Sequence, residues 1–373
     1  MAENFRLGAA QGAIYVVGAL AASAVAGRLD HRRAAMLLHV LMAAACGVGV
    51  WAGERSDPVG VTAVLLAYTL LSAMAWPILE SIVSMGTDAA TLARRIATYN
   101  VVWPAAGTAT LAVSGRVIEA IPIGMFLFPA GAHLLSVVAA AALRKVPLAP
   151  AATPAVAEHP HAEPELLRLR TVALWVSRLG LPATYAVIYG LMPLMPTLPA
   201  MARLDVPTQT VVSSTWLLAR WLTFLALALH PWWHTRPRAM VAAAGAMLLA
   251  FGGIVLAPST LLGAGVHPSA DLAALIGWQV MLGAALGVIY TGSLYFGMVL
   301  SEGSTEHSGY HEALIGFGWV LGPGAGAVAQ VAFPGHPYAG VVAVGTVIAL
   351  SVLAVFGAGF VLRERNAEDA TAR

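Results

Sequence analysis

The sequence predicts an all-α polytopic membrane protein with eleven transmembrane helices, five in a first group and six in a second. Composition, long apolar runs and the placement of arginine carry that expectation. Of the 373 residues, 59% are hydrophobic and 10% charged, and mean hydropathy is +0.79. A soluble domain carries about 25% charged residues. An apolar surplus of this size cannot all be hidden inside a water-soluble globule. The composition excludes a soluble enzyme, a disordered chain and a nucleic-acid binder. A net charge of +2 implies no large electrostatic partner. The single cysteine, Cys46, excludes an internal disulfide framework.

Crossing the hydrocarbon takes about 20 apolar residues, because every backbone N–H and C=O must be satisfied within the segment. Eleven runs qualify: 8–27, 34–52, 60–85, 97–118, 121–143, 171–195, 208–230, 238–258, 271–299, 312–333 and 339–362. They are long, rich in Ala and Leu and do not alternate, so they read as helices rather than strands.

Lys and Arg in the short connections orient the spans. One set of connections holds Arg28, Arg32, Arg33, Arg94, Arg95, Arg144, Lys145, Arg168, Arg170, Arg236, Arg238, Arg363, Arg365 and Arg373. The opposite set holds Arg6, Arg55, Arg116 and Arg203. The first set is therefore expected in the cytoplasm, with the C-terminus inside and the N-terminus outside. No basic cluster precedes the first apolar run, so no cleavable leader is expected. The arginine- and alanine-rich composition suits a GC-rich bacterial coding sequence, and the expected location is a bacterial cytoplasmic (inner) membrane.

Residues 144–170 are rich in Pro, Ala and Glu and read as a flexible cytoplasmic linker. They divide the chain into an N-terminal bundle of five helices (1–143) and a C-terminal bundle of six with a short tail (171–373). His159 and His161 fall in the linker, where solvation is the expected state.

The two parts resemble each other. Pro104-Ala105-Ala106-Gly107 matches Pro323-Gly324-Ala325-Gly326, and the same offset carries Trp76 onto Tyr295. The first span and its exit, Gly27-Arg28-Leu29-Asp30-His31-Arg32-Arg33, correspond to 208–230 and its own basic turn. The span 171–195 has no counterpart in the first part. Parallel repeats of six helices, one helix short, resemble the arrangement of the major facilitator superfamily. Further residues carry that resemblance. The 27–33 exit looks like a degraded form of the family's loop motif. The stretch Gly318-Trp319-Val320-Leu321-Gly322-Pro323-Gly324-Ala325-Gly326 is similar to a Gly-x-x-x-Gly-Pro-x-x-Gly stretch that members carry. Trp76-Pro77, Asn100 with Trp103-Pro104, and Ser308 through Glu312 also resemble recurring features.

By that correspondence the eleven spans are the family's second to twelfth helices. The resemblance implies a secondary transporter moving a small solute by alternating access. The missing first helix lines the cavity in the family, which leaves two readings open. A start assigned too far downstream restores the helix. Genuine loss leaves a gap for a partner's membrane helix, and with it a non-transporting scaffold or assembly subunit as the alternative function.

Charges within the bilayer are expensive and default to functional roles. Arg220 lies near the midpoint of 208–230, Arg178 within 171–195 and Glu80 within 60–85. Arg220 and Arg178 are the expected ligands of an anionic or zwitterionic solute, and Glu80 of a coupling proton. Snorkelling toward the interface is the alternative for Arg178 and Glu80. Tyr68, Trp76, Asn100, Trp103, Tyr185, Tyr189, Trp216, Gln279, Tyr290 and Tyr295 lie on spans that line the cavity if the family arrangement holds, and such groups bind small organic solutes.

Gly318, Gly322 and Gly326 recur every fourth residue and are expected on one helix face, packing a neighbour closely. Pro323, Pro104 and Gly107 mark bends or packing, and Asp30, Arg32 and Arg33 the basic turn. Trp51, Trp232 and Trp233 are expected as interfacial anchors. His39 and His133 are expected to bond neighbouring carbonyls. His307, His311 and Glu312 are not ordered as His-Glu-x-x-His, and Ser308 and Gly309 favour a loop. A cytoplasmic gate or a helix N-terminal contact is therefore expected there rather than zinc. No nucleophile elbow, phosphate loop or cysteine pair gives enzymatic chemistry or a cofactor a candidate.

Reporter fusions test the orientation. A fusion to the N-terminus should report from outside the membrane and one to the C-terminus from the cytoplasm; two cytoplasmic signals would overturn the odd number of spans.

Overall fold

A computed structural model describes residues 2–84, 89–143, 164–230, 232–233, 236, 238–256, 267–301, 305–336 and 338–371. Eleven of its helices are long and apolar enough to cross a membrane. They are α1 (Ala2–Arg28), α2 (His31–Glu54), α3 (Pro58–Ser84), α4 (Ala89–Ala120), α5 (Gly124–Ala142) and α6 (Pro164–Leu191). They continue as α7 (Val206–Leu229), α8 (Arg238–Val255), α9 (Pro268–Ser301), α10 (Thr305–Ala332) and α11 (Ala339–Thr371). No strand occurs among the described residues. Each expected span has its helix.

Several helices outrun their apolar stretch. α6 begins at Pro164, inside the segment read as linker, and α10 begins at Thr305. Apolarity marks the part of a helix that lies in lipid, whereas the backbone ladder continues through polar residues beyond it. The remaining linker, with His159 and His161, lies outside the described residues. Helix ends follow local chemistry. Asp30 caps α2 by accepting from Arg33 N–H at 2.9 Å, and its other oxygen pairs with Arg33 Nε at 3.1 Å. Asp205 caps α7 by accepting from Thr208 N–H at 3.1 Å. α7 is interrupted at Ser214, where the Ser214 N–H is shared between Thr210 and Val211 carbonyls.

The packing follows the internal repeat. α1 lies against α3 as α7 lies against α9, and α2 against α3 as α8 against α9. Two seams join the parts: α1 on α10, and α4 on α7. The most buried helix is α6, which rests on α9, α10 and α11. Among the described residues no helix plays its part against α3, α4 and α5, and α5 is the least covered of the eleven. Leu127, Leu134, Leu135 and Val138 of α5 are exposed, as lipid-facing residues are.

Glycine sets the α1–α10 seam. A Cβ on Gly12 would stand 2.6 Å from Val320 N and 2.7 Å from Trp319 C, both backbone atoms. A Cβ on Gly316 would stand 2.9 Å from Val16 N. Gly8 abuts the Pro323 ring. The expected single face of Gly318, Gly322 and Gly326 is not observed. Gly318 and Gly322 press against Pro182 and Ala186 of α6, while Gly326 meets the Phe5 ring of α1. A four-residue step overshoots a 3.6-residue turn, so the row drifts round the helix from one neighbour to the next. Gly107 faces open space and packs nothing, contrary to its expected role.

Gly12→Leu should destabilise the protein by about 1–3 kcal/mol, as overpacking against an unyielding partner does. Gly107→Leu should leave stability unchanged. Thermal unfolding in detergent or nanodiscs measures both, and equal stability of the two variants would show that the seam tolerates separation.

Candidate functional site

A cavity of about 450 Å³ lies among α1, α3, α4, α6, α7, α9 and α10. Its lining includes Gln11, Tyr15, Tyr68, Thr69, Trp76, Trp103, Tyr185, Tyr189, Trp216, Arg220, Tyr290, Glu312 and Trp319. Eight of the sequence-predicted site residues thus meet here: Arg220, Tyr68, Trp76, Trp103, Tyr185, Tyr189, Trp216 and Tyr290. The α1 and α10 side contributes residues not expected from the sequence. Gln11 donates to Thr69 Oγ1 at 3.2 Å, Tyr15 donates to Glu312 Oε2, and Trp319 stacks on Tyr189 with centroids 3.7 Å apart.

Arg220 is the buried charge of this cavity, 3% exposed. Its Nη2 donates to the Tyr185 hydroxyl at 3.2 Å. The guanidinium carbon stands 4.6 Å from the Tyr290 ring centre, 5.0 Å from Trp103 and 5.3 Å from Phe224. Ring faces attract a cation by about 0.5–2 kcal/mol each. Among the described residues no carboxylate lies within the 4.0 Å of an ion pair, and Nε makes no hydrogen bond. The guanidinium is held in place by π faces with much of its hydrogen-bonding capacity unspent.

The other expected cation, Arg178, lies elsewhere. It is half-buried, in close contact with His307 and 6.0 Å from the Trp175 ring centre, and does not line the cavity.

Behind Glu312 stand two more ionisable groups. Glu80 of α3 is 2% exposed, and His311 of α10 is 3% exposed. Glu80, His311 and Glu312 each place one ligand atom within 4.8 Å of the others. Ser293 Oγ of α9 lies 3.0 Å from His311 Nδ1. This corrects the loop expected at Ser308 and Gly309. Both residues lie within α10, whose first turns turn inward, and His311 and Glu312 are buried rather than placed at a surface gate.

A second cavity, about 510 Å³, lies where α4 meets α7 and α9. Asn100, Thr291 and Tyr295 line it, with Arg94, Phe224 and Trp233. Asn100 and Tyr295 therefore face this cavity and not the one holding Arg220. Trp103, Phe224 and Tyr290 pack ring against ring at 5.6–6.1 Å, with Trp103 and Tyr290 lining the first cavity and Phe224 the second. Gln279 is fully buried, lines neither cavity and has no hydrogen-bond partner for its amide.

Two further expectations change. Trp233 is not an interfacial anchor: it is 3% exposed, donates to the Leu227 carbonyl at 3.0 Å and packs on Tyr295 at 5.1 Å. Trp51 and Trp232 are exposed as expected, each with an arginine over its ring. His39 and His133 do not bond carbonyls. Their Nδ1 atoms are 3.0 Å apart, and His133 Nε2 lies 2.9 Å from the Tyr68 hydroxyl, so a polar chain runs from α2 through α5 to the cavity wall.

No family sequence model and no curated protein sequence matches the chain. Solved structures do match its fold. The human organic anion transporter MFSD10 (TETRAN) superposes with a TM-score of 0.59 at 17% identity, over 94% of this chain and 83% of that one. The transporter FucP in its outward conformation gives 0.58 at 12% identity, over 95% and 90%. The nucleoside transporter NupG gives 0.59 at 13% identity, over 97% and 90%. The chain has the fold of the major facilitator superfamily.

Proposed function

We propose that the protein is a secondary transporter that moves a small anionic or zwitterionic solute by alternating access. The observation that carries this reading is Arg220. A guanidinium buried in low dielectric strongly favours a nearby anion. Here the protein supplies aromatic faces and one hydroxyl and, among the described residues, no ion-paired carboxylate. A solute carboxylate or phosphate entering the cavity completes the coordination, and the surrounding Trp and Tyr rings accommodate the rest of a small organic molecule. The neighbour at 17% identity is an organic anion transporter, which agrees with this chemistry. Another neighbour is a fucose:proton symporter of E. coli. Glu80, buried beside a second carboxyl group, is the group that takes up a coupling proton in this reading. The expected setting is a bacterial cytoplasmic membrane with the C-terminus inside. No observation favours the non-transporting scaffold.

Thermal unfolding across classes of metabolites tests solute binding, because a ligand of the folded state at about 100 times its Kd adds about 2.7 kcal/mol of stability. Carboxylate- or phosphate-bearing solutes should raise the transition, and Arg220→Gln should lose that rise while staying folded. In proteoliposomes, Glu80→Gln should lose accumulation driven by a pH gradient yet keep solute exchange. A variant at Arg220 that binds and transports like the wild type would remove the guanidinium from the mechanism.

A further inference from the structure

The three buried groups behind the cavity form a constellation that proton uptake alone does not account for. Glu80 comes from α3, and His311 and Glu312 are consecutive on α10. Adjacent positions on a helix diverge by about 100°, yet both side chains turn toward Glu80. The ligand atoms of all three fall within 4.8 Å of one another. Both Glu80 oxygens and His311 Nε2 are buried and without a hydrogen-bond partner. Buried polar atoms are nearly always satisfied, so these unpartnered atoms, on two of the three clustered residues, leave the cluster open to a ligand.

The donor set identifies its chemistry. Two carboxylates carry two negative charges, which a divalent cation neutralises. The imidazole nitrogen favours a first-row transition ion over Ca²⁺ or Mg²⁺, which prefer all-oxygen sites. The neighbours orient the ligands. Ser293 Oγ holds His311 Nδ1 at 3.0 Å, so that as a proton acceptor it leaves Nε2 its lone pair. Tyr15 donates to Glu312 Oε2, which leaves Oε1 for an ion. We infer that Glu80, His311 and Glu312 bind one divalent first-row transition-metal ion of the Mn²⁺ to Zn²⁺ series, at the part of the cavity wall that Glu312 forms. Protons and the ion compete for the same groups, so binding releases protons and weakens as pH falls. Arg220 supplies no ligand atom to the cluster, so the ion's binding is measured without the solute.

The test is equilibrium titration of the purified full chain in nanodiscs, stripped with chelator and free of solute. Mn²⁺ is followed by loss of the free-ion electron paramagnetic resonance signal, Co²⁺ by its ligand-field absorption, and Zn²⁺ by competition. The wild type should bind one ion per chain with release of protons. Glu80→Gln and His311→Ala should each weaken binding at least about tenfold, and Ser293→Ala by about 10–100-fold, as loss of an outer-shell partner does. Arg220→Gln removes a positive charge near Glu312 and no ligand, so it should keep one-to-one binding at equal or higher affinity, which separates this outcome from failure of the solute reading. Absence of saturable one-to-one binding by the wild type overturns the site whatever the variants do, and so does unchanged affinity in folded Glu80→Gln and His311→Ala.

Discussion

The closeness of α1 to α10 is the constraint from which the interior follows. Lipid offers little hydrophobic drive between helices, so their association depends on packing contact and polar bonds. At Gly12 and Gly316 the two backbones approach until no side chain fits between them. That approach places Tyr15 of α1 on Glu312 of α10 and sets Trp319 beside Tyr15 and Tyr189. A thicker seam would pull Tyr15 back from its partner and open the buried acidic group to whatever filled the gap. Packing at one point and charge management at another are thus a single arrangement.

The interior separates its charges by sign. Arg220 is embedded in rings, while Glu80 and Glu312 gather with an imidazole, Glu312 lining the same cavity as Arg220. Direct pairing of Arg220 with either acid would be the simplest resolution of buried charge, and it does not occur among the described residues. Keeping the two apart leaves each competent toward something from outside the chain, which is the condition for a binding site rather than a structural ion pair.

Much of this was legible in the sequence. Apolar run length located every membrane helix, because the demand for internal backbone bonding is strict in lipid. Arg220 was identifiable by its depth in an otherwise apolar run, and the aromatic residues on the spans expected to line a cavity led to much of its aromatic wall. His311 and Glu312 were misplaced for a definable reason. His307, Ser308, His311 and Glu312 lower the hydropathy at the start of α10, so the apolar run was read from residue 312, although the helix begins at Thr305 and Ser308 is already buried. Tyr15 and Gln11 carried no signal of their own, since their roles arise from partners on α10 and α3. The pairing of His39 with His133, and the burial of Trp233, likewise depend on contacts between helices far apart in the chain. The drift of the α10 glycines was latent in helix geometry, because a strict four-residue spacing cannot stay on one face.

The rings that hold Arg220 are also the wall between two hollows. Trp103 and Tyr290 line the 450 Å³ cavity, Phe224 lines the 510 Å³ one, and all three touch the same guanidinium. An anion that draws the guanidinium toward itself loosens the attraction that keeps those rings in register. The guanidinium and the partition between the hollows are thus one unit, so a group that displaces the cation acts on both spaces at once.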